Sequence, residues 1–196
     1  YYNPTSGARE ANFNNLEDRT ADGYLYRDAG INWGGVTSGS AYTLHNIRNL
    51  TGWQHIAGTF DGQYAKLWVN GVQKRMGNMG TSGVVIQYPS NSAAEVMVGA
   101  DLWVSPSGAA DYMSGLVDEV AIWDAALDAD NIAAIYNNGI AGLDLTSASG
   151  NYNTQGDLQA YWKFEEGSGT SVADSSSNSN TGTLVNTPAW STNTSG

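Results

Sequence analysis

The stretch that most constrains this chain is a short apolar run held between two turn dipeptides. Asp61-Gly62 precedes it, Asn70-Gly71 follows it, and between them lies Ala65-Lys66-Leu67-Trp68-Val69. Asp-Gly and Asn-Gly supply the positive φ that tight hairpin turns need, because glycine has no Cβ and asparagine tolerates the left-handed region. Residues 53–60, Trp-Gln-His-Ile-Ala-Gly-Thr-Phe, run into the first turn with Ile56 and Phe60 on one face, and residues 72–75 leave the second. Two hairpin turns this close make neighbouring strands antiparallel.

Strand patterns recur along the chain. In residues 23–27 alternation puts Tyr24 and Tyr26 on one face and Leu25 on the other. Residues 83–87, 95–99 and 115–123 read as further strands. One helix is expected over 129–137, with Asp128 as N-cap, Ile132, Ile135 and Tyr136 on one face, and Gly139 as C-cap. At about two turns it needs packing support. Residues 140–157 are small and polar and read as a connector. A second β unit follows at 158–164, then Val172-Ala173-Asp174, a low-complexity loop over 175–180, Thr183-Leu184-Val185, and Pro188-Ala189-Trp190. Residues 191–196 have no apolar anchor and read as a frayed tail. Many short strands with Gly, Asn and Asp turns and one short helix predict an all-β, antiparallel two-sheet β-sandwich. Residues 1–139 would form its main part. Residues 158–190 would be a C-terminal strand pair that completes this sandwich or is donated to a neighbour.

Composition narrows the function. Eight basic and 19 acidic residues leave a formal charge of −11, which repels phosphate backbones and argues against nucleic-acid binding. No run reaches the roughly 18 apolar residues of a membrane span, so no membrane insertion is expected. The absence of cysteine excludes disulfides and thiolate metal sites. The acid excess serves solubility, and some carboxylates could bind a hard cation such as calcium.

Three stretches resemble the laminin-G-like domains of the concanavalin A-like lectin/glucanase superfamily, in their bacterial or phage-type branch. Trp53-Gln54-His55-Ile56-Ala57-Gly58-Thr59-Phe60-Asp61-Gly62, continued by Lys66-Leu67-Trp68-Val69-Asn70-Gly71, is similar to the family's central hairpin. Gly115-Leu116-Val117-Asp118-Glu119-Val120-Ala121-Ile122-Trp123 with Ala126-Leu127 and the helix is similar to its late strand and helical cap. Ala160-Tyr161-Trp162-Lys163-Phe164-Glu165-Glu166-Gly167-Ser168-Gly169, with Ala173-Asp174-Ser175-Ser176 and Gly182-Thr183-Leu184, is similar to the strand pair that usually opens such a domain. Here that pair stands at the C-terminal end. The resemblance implies a jelly-roll, concanavalin A-like sandwich. It leaves the function open, since the fold hosts lectins, adhesion modules, structural proteins and hydrolases.

The candidate chemistry is of two kinds. Glu165, Glu166, Asp174, Asn178 and Asn180 gather oxygen donors in adjoining loops, with Asp118 as a further candidate ligand. Calcium takes six to eight such oxygens. The family resemblance also implies a structural calcium near the Asp-Ser-Ser loop. The alternative is that Asp174, Asn178 and Asn180 are turn formers. For recognition, Trp33, Tyr88, Trp103 and Tyr112 lie beside Gly, Pro or Asp and could stack on sugar faces. The alternative is rim or core packing. Catalysis is not expected. The adjacent pairs Asp118-Glu119 and Glu165-Glu166 point to opposite faces of a strand, and His45 and His55 have no metal-ligand spacing. The reading is a non-catalytic recognition or adhesion module on a cell or virion surface, extracellular and part of a larger protein, calcium-stabilised, with a glycan or surface protein as partner. Its alternative is a structural or assembly protein, a virion decoration, fibre or filament subunit, whose terminal strands link it into a homo-oligomer or larger assembly. A polysaccharide hydrolase or lyase is the third.

Overall fold

The computed structural model of the chain describes residues 2–4, 52–78, 96–101, 111–113, 115–139 and 143–192; for 2–4, 75, 77–78, 100–101 and 111–112 it describes the backbone alone. The strands expected at 23–27 and 83–87 lie outside these residues. The described strands are β1 (Tyr2–Pro4), β2 (Ile56–Phe60), β3 (Tyr64–Val69), β4 (Val72–Asn78), β5 (Ala100–Asp101), β6 (Asp111–Tyr112), β7 (Gly115–Val117), β8 (Val120–Trp123), β9 (Leu158–Trp162), β10 (Ser171–Val172) and β11 (Gly182–Thr183), with one helix, α1 (Ala129–Asn137), between β8 and β9. All their pairings are antiparallel: β2-β3-β4 as a three-stranded sheet, and β1 with β7, β5 with β6, β8 with β9 and β10 with β11.

The hairpin turns form as their dipeptides dictate. Val69 pairs with Val72 across Asn70 and Gly71, whose φ values are 51° and 74°. Both central residues at positive φ are what a two-residue hairpin loop needs to match strand twist. The Asn70 side chain locks the turn: Oδ1 accepts the His55 N–H at 3.0 Å and Nδ2 donates to Gln54 Oε1 at 2.8 Å. At the other end of β3, Asp61 Oδ1 accepts the N–H groups of Gln63 and Tyr64, and Lys66 Nζ donates to Asp61 Oδ2 at 2.8 Å. Its bond to Lys66 first, and that of Tyr64 next, hold the Asp61 carboxyl down at about 2.

Helix α1 starts where its cap stands. Asp128 is extended, and its Oδ1 accepts the Asn131 N–H at 2.8 Å. Ile132 and Ile135 bury the inner face; such side chains are each worth roughly 1.5–3 kcal/mol when removed from water. Tyr136 lies over the β3–β4 turn and stacks on His55 with ring centroids 6.0 Å apart. Buried Asn131 joins the helix to the following chain, its Oδ1 accepting from Asn153 N and Thr154 Oγ1.

Two apolar clusters organise the described residues. The larger holds Trp68, Leu127, Ile132, Ile135, Leu143, Leu145, Tyr152, Leu158 and Tyr161. The smaller holds Ala160, Trp162 and Val172, with Val120, Ile122, Phe164, Leu184 and Trp190 packed against it. Trp162 and Phe164 are thus covered by their own chain.

Several elements differ from the sequence pattern. The run 115–123 is two strands, because Glu119 takes φ 54° and breaks it after Asp118. Residues 96–99 are not a strand; pairing starts at Ala100, after Gly99 at φ 79°. β9 ends at Trp162, and Phe164 turns the chain at φ 59°. The polar-looking connector carries Leu143, Leu145 and Tyr152 into the main core, with Tyr152 at 0% exposure. Its hydroxyl donates to Leu145 O and accepts from Trp123 Nε1, so its one polar atom is satisfied.

One substitution tests the fit of helix on turn. A Cβ at Gly71 would lie 2.8 Å from Tyr136 Cδ1 on a residue at φ 74°. Gly71→Ala is expected to cost about 1–3 kcal/mol in urea unfolding, from backbone strain and overpacking together.

Candidate functional site

The structure places the proposed metal-binding residues in two groups rather than one. Asp174, Asn178 and Asn180 meet on the open side of β9. Asp174 is held opposite Trp162, and its carboxylate serves as the hub of the loop that follows. Oδ1 accepts the Tyr161 and Ser176 N–H groups, each at 2.8 Å. Oδ2 accepts the Asn180 N–H at 2.7 Å and the Ser176 hydroxyl at 2.8 Å. Burial pushes this carboxyl up, but the backbone donors of Tyr161, Ser176 and Asn180 outweigh it and hold it below the ordinary value.

The amides complete the loop. Asn178 Nδ2 donates to Gln159 O at 3.0 Å and Asn180 Nδ2 to the same oxygen at 2.9 Å. The Asn180 carbonyl accepts from Trp162 Nε1 at 2.7 Å. Glu166 Oε1 accepts the Ala173 N–H at 2.8 Å. A calcium ion needs six to eight oxygens turned toward one point. Here the Asp174 oxygens, one Glu166 oxygen and the Asn180 carbonyl are taken by N–H and O–H donors. Among the described residues no group of three or more His, Cys, Asp or Glu converges to hold a metal. In this arrangement the loop closes by its own hydrogen bonds.

The second group lies at the β7–β8 junction. Asp118 is 8% exposed, and Glu119 beside it accepts a hydrogen bond from the Tyr161 hydroxyl. Lys163 Nζ stands 5.1 Å from the centre of the Tyr161 ring. Burial pushes Glu119 up to about 7, against the Tyr161 bond, and the Asp118 and Glu165 charges push the same way. The Tyr161 hydroxyl is driven up in turn, by burial and then by Glu119. Sequence pattern alone did not single out this pair. The signal that would have pointed to it is two acids interrupting an otherwise apolar strand opposite a tyrosine in its partner.

Of the recognition aromatics, Trp33, Tyr88 and Trp103 lie outside the described residues. Tyr112 lies in β6, paired with Ala100. Of the histidines, His45 lies outside as well. His55 is 7% exposed and is pushed down to about 4, by burial first. That places it in a structural role against Tyr136.

These groups give two measurable outcomes. Asp174→Ala strands its donors and is expected to cost about 2–4 kcal/mol in chemical unfolding, the same in EDTA as in calcium. A melting temperature of the unsubstituted chain that rises with calcium would establish the metal reading. The second outcome concerns pH. Glu119, raised in the fold, contributes stability that is full below its unfolded value of 4.5 and is lost as pH rises through about 7. His55, lowered from 6.5 to about 4, acts oppositely, so stability is lost as pH falls from 6.5 toward 4. The two offset each other over that window. In Glu119→Gln the contribution opposing His55 is removed, and unfolding free energy should climb more steeply with pH from about 4 to 6.5 than in the parent.

Comparison with known proteins agrees with this architecture. Residues 9–133, more than half of the chain, match the Laminin_G_3 family model, described as concanavalin A-like lectin/glucanases superfamily. No curated protein matches the chain. A solved structure from Bacteroides ovatus ATCC 8483, described as that of a "putative carbohydrate binding protein", is similar at 20% identity and a TM-score of 0.46, covering 87% of this chain and 49% of that one. The chain therefore spans about half the length of that protein. With a family model over most of its length and antiparallel pairing among its described strands, the chain belongs to the Laminin_G_3 family of the concanavalin A-like lectin/glucanases superfamily.

Proposed function

We propose that the domain is a non-catalytic recognition module that binds carbohydrate through aromatic side chains, as part of a larger extracellular or surface protein. The observation that carries this reading is the family match over 9–133, which spans Trp33, Tyr88, Trp103 and Tyr112. Two of the described acids support it indirectly. Asp174 is saturated by donors and Glu119 is turned to a core tyrosine, so neither is presented to a substrate. Retaining hydrolysis needs two carboxyl groups facing one sugar, and Asp174 and Glu119 are each bonded within the fold instead. Among the described residues no helix is long and apolar enough to cross a membrane. The assembly reading draws less support, because β9, the first strand it would donate, is paired with β8 of the same chain.

Glycan arrays probed with the chain and with Trp33→Ala, Tyr88→Ala, Trp103→Ala and Tyr112→Ala test the proposal. Truncating an aromatic anchor at a binding centre costs about 2 kcal/mol or more, so at least one variant should lose over tenfold in affinity with its melting temperature unchanged. Binding to no glycan, or binding indifferent to all four substitutions, would sink this assignment.

A further inference from the structure

We propose that Asn138 is a site of spontaneous deamidation and that the fold directs this modification to Asn138 and away from Asn70. The chain has two Asn-Gly sequences, Asn70-Gly71 and Asn138-Gly139. In such a pair the glycine backbone nitrogen attacks the asparagine side-chain carbonyl, and the absent glycine side chain leaves that approach open. At this site the new bond joins Gly139 N to Asn138 Cγ. The Cγ–Nδ2 bond breaks, and ammonia leaves with the proton from Gly139 N. Water then opens the cyclic imide at either carbonyl, giving aspartate or isoaspartate. Water is the only co-reactant.

The two sites differ in what must move. Asn70 is held at both ends of its side chain by His55 N and Gln54 Oε1, and its own N–H donates to His55 O at 2.8 Å. Gly71 lies tight beneath the Tyr136 ring. Bringing Gly71 N onto Asn70 Cγ would undo these contacts together and open the hairpin turn. Asn138 is the exposed C-cap of α1, its Nδ2 donating to Ala134 O at 2.7 Å. A side chain added at Gly139 would meet no atom within 4 Å. The last turn of a helix frays readily, so only local opening is needed there.

The product has a structural consequence. Aspartate at position 138 sets a negative charge at the negative end of the helix and replaces the donor facing Ala134 O with an acceptor. The same last turn carries Tyr136, which covers Gly71 and stacks on His55. Modification therefore loosens the helix where it grips the hairpin.

The folded protein and the urea-unfolded chain, incubated side by side at mildly alkaline pH, test this. Tryptic peptide 67–74 reports Asn70 and chymotryptic peptide 137–143 reports Asn138. Fragment masses locate the amide-to-acid change, and chromatography separates isoaspartate. In the unfolded chain both sites should convert at similar rates. In the folded protein Asn138 should keep most of its rate while Asn70 slows at least about tenfold. Similar rates at the two folded sites, whether both fast or both slow, or faster conversion at Asn70, would overturn the proposal.

Discussion

The pairing of β8 with β9 is the contact on which the rest depends. Both strands pack side chains from both faces into the two clusters. Ala121, Trp123, Leu158 and Tyr161 belong to the larger cluster, under the helix and the central hairpin. Val120, Ile122, Ala160 and Trp162 belong to the smaller one, under Val172, Leu184 and Trp190. A two-residue period distributes side chains this way, and the register shift between Ile122 and Trp123 lets Leu158 join Tyr161 on the same side. Remove β9 and each cluster loses a wall. The Asp174 carboxylate strengthens that wall, because it takes the Tyr161 N–H on the side of β9 away from β8. An N–H left without a partner there would cost about 1–3 kcal/mol.

Charge is arranged around the same strand. A chain with 19 acids and eight bases has few cations to spare for pairing. Asp61 uses Lys66, whereas Asp128 and Asp174 rely on backbone N–H donors. Glu119 meets a tyrosine hydroxyl, with Asp118 beside it and Lys163 acting on it only through its charge. Its raised proton affinity is the consequence of that placement. Burial of His55 under Tyr136 produces the opposite sign at a distant point of the fold. Linkage at two unrelated sites can therefore cancel in the sum while each remains real.

The legible parts of the fold were those governed by local rules. Asn70-Gly71 and Asp61-Gly62 carry their own turn geometry, and Asp128 with Ile132 and Ile135 carries a capped amphipathic turn. The illegible parts were set by tertiary contact. Nothing in Val117-Asp118-Glu119-Val120 announces a left-handed glutamate, because that conformation is held by a tyrosine far along the chain. Tyr152 sits among Ser, Gly and Asn and reads as linker, yet it is fully buried because Leu145 O and Trp123 Nε1 satisfy its hydroxyl. The Asp174 loop was legible as an oxygen-rich cluster, but the same residues suit a cation or a turn, and only the direction of each hydrogen bond separates the two.

That separation bears on where recognition resides. The family-matched span ends at residue 133, within α1, while Asp174 and its loop belong to the unit that follows. In that unit the polar atoms named above bond to Tyr161, Gln159, Ser176 and Trp162, and hold β9 in place. A polar group satisfied by its own fold gains little from a ligand, since binding would exchange one hydrogen bond for another. The C-terminal unit thus packs on β8 and is held there by its own hydrogen bonds, outside the family-matched span.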